Sequence, residues 1–155
     1  MAKPSVKSID RGWTRALAAM KRLAGSRHVA VGIRDGGRVH SSGLTLNTLM
    51  AIHELGAPAA NIPERAPIRT AFDANVGKYT RQMMDGVSDV LDGRATPDQI
   101  LEVLGAGMAD DIRNGIRARL PPPDKPETIR RKGSAKPLVD TGHMLQSVDF
   151  LVETK

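Results

Sequence analysis

Residues Thr70 to Leu91 read TAFDANVGKYTRQMMDGVSDVL, and the apolar side chains of Phe72, Val76, Tyr79, Met83, Val87 and Val90 recur at steps of three and four. That spacing keeps one face of an α-helix apolar along the whole stretch. It predicts a long amphipathic helix, broken by Asp92-Gly93. A second helix starts at once. Thr96-Pro97-Asp98-Gln99 supplies a threonine cap, a proline at the first position and a glutamine that completes a capping box. The helix it opens turns Ile100, Leu104, Met108, Ile112, Ile116 and Leu120 inward. Pro121-Pro122-Pro123 stop it, because proline has no backbone donor and clashes with the preceding turn.

Working outward, Ile9, Trp13, Leu17, Met20 and Ala24 form one apolar stripe on a helix over about Val6–Ala24, ended by Gly25-Ser26. His28 to Arg34 alternates, with Val29, Val31 and Ile33 on one face of a strand. Asp35-Gly36-Gly37 is turn chemistry, and Arg38-Val39-His40 reads as a short return strand. Leu44 to Leu55 reads as a helix closed by Gly56, followed by a loop with Pro58, Pro63 and Pro67. Val148 to Val152 reads as a last strand. Pairing the first and last strands antiparallel gives an α+β fold, a small antiparallel sheet packed by three to four helices in a single domain over residues 1–155. A long proline-rich C-terminal arm spans about residues 121–142. No internal repeat or low-complexity tract interrupts this plan.

A chain of 155 residues buries roughly 68–70% of its unfolded surface, enough for a core without staples. There is no cysteine, which excludes disulfides and thiolate metal sites and fits assembly in a reducing cytoplasm. No apolar run approaches the roughly 18 residues of a bilayer span, and the N-terminus has no apolar signal core. Lys and Arg number 23 against 17 Asp and Glu, for a net charge of +6. The surplus gathers along the first helix and at Arg130–Lys136. Trp13, Phe72, Tyr79 and Phe150 are too few aromatics for a base-stacking platform.

Catalytic patterns are missing from the sequence. His53-Glu54 begins like a zinc-peptidase helix, but the second histidine would fall at position 57, which is Ala57. His28, His40, His53 and His143 lie far apart without ligand spacing. Asp110 and Asp111 are helix neighbours whose side chains diverge by about 100°, so they read as solvent-facing partners of Arg113, Asn114 or Arg117 rather than a dyad. No glycine run has phosphate-loop or dinucleotide-loop spacing. The expectation is a protein without catalytic residues, metal or cofactor.

Three blocks carry a resemblance. Ile52-His53-Glu54-Leu55-Gly56 is similar to an asparagine-glutamate-phenylalanine-glycine helix end. Ile62-Pro63-Glu64-Arg65-Ala66-Pro67-Ile68-Arg69-Thr70-Ala71 looks like an I-P-x-R-P-F-L-R-P-A loop, with Pro67 at the aromatic's place and Thr70 at the second proline's. Residues 128–142, TIRRKGSAKPLVDTG, are the longest and most specific block. In this order and spacing, over Ile52 to Phe150, they resemble the head–tail connector proteins of Mu-like and lambda-like tailed bacteriophages, variously called tail completion, neck or virion morphogenesis proteins.

The resemblance implies a non-enzymatic structural protein of the virion, assembled in the bacterial cytoplasm as a ring, six-fold like the tail, at the head–tail junction. Its partners would be further copies of itself, the adjacent neck, connector, terminator or tail tube proteins, and genomic DNA sliding through the lumen without sequence readout. A tail terminator ring capping the tube is the near alternative, and a duplex-DNA-binding regulator the distant one. Arg65, Pro67, Arg69, Arg130, Arg131, Lys132, Lys136, Pro137 and Asp140 are the candidate contact residues. Arg65 and Arg69 have two readings: forked hydrogen bonds to a neighbour's carboxylates, or pairing within the chain with Glu54 or Asp73. Arg130, Arg131 and Lys132, with Lys136, have three: facing DNA, gripping an adjacent virion protein, or standing in solvent. Pro63, Pro67 and Pro137 stiffen their loops before docking. Asp140-Thr141-Gly142 reads as the cap of a helix running to Ser147.

Overall fold

Two long helices form the frame, α3 (Pro67–Asp92) and α4 (Pro97–Arg117), joined by a tight turn. The structure is a computed structural model that describes residues 12–34, 37–118, 121–133 and 142–154, without the side chains of residues 131 and 132. α3 starts three residues before its apolar pattern does, because Pro67 takes the first helical position. It ends at Gly93, whose φ of 74° suits a residue without Cβ. α4 opens with the expected capping box between Thr96 and Gln99. A Cβ on Gly86 would lie 2.6 Å from Ile100 Cγ2, so glycine there allows α3 and α4 to close up.

Strands β1 (Arg27–Ile33) and β2 (Val148–Thr154) pair antiparallel from Arg27 opposite Thr154 to Ile33 opposite Val148. α4 touches both strands and α3, which makes it the central element. The core gathers Met50, Ala71, Ala109, Ile112, Ile116, Met144 and Val148. Ile116 and Val148 are fully buried. Each such side chain contributes about 1.5–3 kcal/mol. Gly105 sits where the sheet crosses α4, with Phe150 and Val29 against it. The α+β class is therefore the one expected from the sequence.

Several expectations change. Among the described residues there are six α-helices rather than three to four: α1 (Trp13–Leu23), α2 (Leu46–Leu55), α5 (Pro126–Lys132) and α6 (His143–Gln146) join α3 and α4, and one 3-10 turn spans Pro58–Ala60. α5 lies inside the stretch read as an arm, started by Pro126 and stopped by Gly133 at φ 68°. Arg38–His40 is no strand; only Val39 makes an isolated bridge, to Thr45. Gly142 occupies the N-cap of α6, while Asp140 and Thr141 lie outside the described residues.

The largest correction concerns α1. Its bulky stripe does not face the core: Trp13 is 70% exposed, Met20 54% and Leu17 41%. Instead Ala19 is buried, and Ala16 and Leu23 are half-buried, on the side against α3. Ala16, Ala19 and Leu23 make a second stripe, turned about a quarter of a circle from the first at 100° per residue. Small side chains let two helix axes approach, and that stripe is the one α3 receives. Among the described residues no helix is long and apolar enough to cross a membrane.

Candidate functional site

The first two resemblance blocks meet at the end of α2. Gly56 turns the chain at φ 76°, and a Cβ there would lie 2.9 Å from the Glu64 backbone nitrogen, so the loop folds back onto it. Ala57 and Ile62 exchange backbone hydrogen bonds of 2.9 and 3.1 Å across that loop. The Arg65 and Ala66 N–H groups both donate to the His53 carbonyl, at 2.9 and 3.1 Å. Ala66 then takes a left-handed φ of 44° that swings the chain into α3.

Glu54 completes the junction. Its Oε2 accepts from the Ile68 N–H at 2.9 Å and its Oε1 from the Arg69 N–H at 3.0 Å. Those donors belong to the first turn of α3, which has no side-chain cap of its own. A carboxylate there both satisfies orphan donors and meets the positive end of the helix dipole. The residue that hinted at a peptidase is thus a cap from a distant helix.

Arg65 is buried, 7% exposed. Its Nε donates to the Pro122 carbonyl at 3.1 Å and its Nη2 to Asp124 Oδ1 at 2.8 Å. This pins the segment after α4 onto the loop before α3. Pro67 is fully buried as well, occupying the place of the resemblance's aromatic. Arg65 and Pro67, offered as contacts with a neighbour, are both buried inside their own chain. Arg69 is half-exposed and pairs with Glu64, neither Glu54 nor Asp73 being its side-chain partner.

Beside this junction lies a groove of about 1120 Å³, walled by Leu49, Ile52, Leu55, Pro63 and Met144. His40, His53 and His143 all reach its wall, so the fold gathers histidines that sequence spacing keeps apart. Among the described residues, no group of His, Cys, Asp and Glu is placed to hold a metal ion.

A polar cluster sits between the long helices. Tyr79 Oη donates to Asp111 Oδ2 at 2.9 Å, and Lys78 Nζ donates to the same oxygen at 2.6 Å. Asp111 therefore turns inward, against the solvent-facing expectation, while Asp110 does pair with Arg113 at 2.6 Å. Burial first, then the hydrogen bond and charge of Asp111, hold the Tyr79 phenol well above the ordinary tyrosine range.

Of the basic candidates, Arg130 is exposed on α5. Arg131 and Lys132 belong to α5 by backbone, and Lys136, Pro137 and Asp140 lie outside the described residues. The feature that sequence reasoning missed is the outward stripe of α1. Its signal was present, as two apolar stripes on one short helix of which only one could face α3. The chain matches no family model, no curated protein and no solved structure.

Proposed function

We propose that this chain is a structural subunit of a tailed-bacteriophage virion, forming a six-fold ring at the head–tail junction that completes the tail and joins it to the head connector. One observation carries the reading. The blocks Ile52–Gly56 and Ile62–Ala71, two of the three that carry the resemblance, are a single interlocked unit through His53, Glu54 and Gly56. The resemblance therefore rests on a folded substructure instead of scattered strings. Its departure at Pro67 is accommodated, since Pro67 both fills the buried position and starts α3. The third block begins in α5, which carries Arg130, Arg131 and Lys132. In a ring these cations meet phosphates of passing DNA or carboxylates of the next virion protein.

Light scattering of the purified protein, alone and with tail tubes, followed by negative-stain imaging, tests this. The expected outcome is a ring in solution, or a monomer that becomes a ring at the tube end. A monomer that ignores tails and binds duplex DNA with a steep salt dependence overturns it in favour of a regulator. A ring that blocks further growth of the tube makes the protein a terminator.

A further inference from the structure

We infer that the outward stripe of α1 is one half of a contact between copies of this chain, and that the outer face of α4 is the other half. The inference rests on the ring-subunit reading and names the surfaces that join the ring.

Trp13, Leu17 and Met20 stand in line on α1, each more than two-fifths exposed. Bulky apolar side chains aligned in this way on a soluble chain mark an interaction surface. The helix holds no acidic residue, and Lys21 stands exposed at the edge of the stripe. No carboxylate pairs with Lys21 among the described residues. The stripe therefore calls for a partner that is apolar at its centre and acidic at its rim.

The same chain carries such a face. On α4, Val103 is 65% exposed and Ala106 is exposed one turn further on. Exposed Glu102 flanks them, Asp110 beyond it being paired with Arg113, and from Pro97 to Ile112 the helix has no lysine or arginine. Glu102 has no ion-pair partner among the described residues. Small Ala106 beside Val103 leaves a shallow seat for an indole. Pairing α1 with α1 would instead bring together two helices that carry basic residues and no acidic one, and like charges disfavour that arrangement. A contact between two different faces is heterologous, the kind of contact from which closed rings are built.

The chain has no cysteine and one tryptophan, which makes the contact directly measurable. Leu17→Cys protein is mixed with Val103→Cys protein under mild oxidation, after melting curves confirm that both fold. The expected product is the mixed disulfide-linked dimer, and the double variant should give a ladder ending at one ring size. Lys21→Glu should lower the mixed yield about tenfold, and Glu102→Lys on the partner should restore it. Trp13 emission should shift to the blue with protein concentration. Leu17→Cys protein that links to itself as readily as to its mate overturns the contact. A blue shift on phosphatidylglycerol vesicles without one on concentration reassigns the stripe to a membrane. Rings on tail tubes without the mixed dimer sink this contact and leave the ring reading standing. Absence of both rings and mixed dimer, with and without tail tubes, sinks the two together.

Discussion

Arg65 and Asp124 form an ion pair whose side chains are only 4% and 9% exposed. Removing one partner of a buried pair takes away the counter-ion that offsets the burial of the other, at a cost of about 3–5 kcal/mol. Arg65→Ala should lower the unfolding free energy by that amount in urea titrations, whereas Arg65→Met combined with Asp124→Leu should recover most of it. Gly105 is a second sensitive position. A Cβ there would fall 2.5 Å from Phe150 Cδ2 and 2.7 Å from Val29 Cγ2, so Gly105→Ala should destabilise by about 1–3 kcal/mol through overpacking. Tyr79 is the chain's sole tyrosine, so its phenolate absorbance reports one group. Its pKa is raised in the folded state, so the neutral phenol stabilises the fold below the unfolded value of about 10, and that contribution is lost as pH rises through the folded value. Alkaline titration should show no phenolate signal until the protein unfolds. A normal titration with the fold intact would refute the Tyr79–Asp111 hydrogen bond.

At the scale of elements, α3 depends on a carboxylate from α2. Glu54→Gln keeps one of the two acceptors, turns an amide NH2 toward the other N–H and loses the charge at the helix N-terminus, and should reduce stability by about 1–3 kcal/mol. α4 depends on its buried stripe: Ile112 is 4% exposed, and Ile112→Asp should abolish cooperative melting by burying an unpaired charge. Both long helices were legible in the sequence because sustained spacing and local caps are properties of neighbouring residues. The Thr96–Gln99 box needs nothing beyond its own turn. The Glu54 cap joins residues 14 and 15 apart, and the Arg65–Asp124 pair residues 59 apart, and no local pattern encodes such partners. α1 was misread for another reason. The bulky apolar residues mark one stripe in the sequence, while the side that faces inward is set by the helix it packs on, against which Ala16 and Ala19 allow close approach.

At the scale of the molecule, α5 is attached through what precedes it, since the Arg65 anchor grips Pro122 and Asp124. Deleting Lys125–Lys136 spares that anchor. The deletion should leave the melting midpoint nearly unchanged while preventing incorporation into virions, measured by circular dichroism and by complementation of assembly. Loss of the fold would make α5 part of the core. The strand pair has the opposite character, because β1 and β2 lie far apart in the sequence and align in register from Arg27 with Thr154 to Ile33 with Val148. The α3–α4 hairpin can form while the chain is still being synthesised, since its contacts are close in sequence. The sheet cannot, because β1 waits for its mate to emerge from the ribosome. Until then the α4 surface around Gly105 and Ile112 lacks its cover. Emergence of β2 from the ribosome is thus the step that closes the core, and a chain broken off before Val148 reaches the cell's proteases with that surface open.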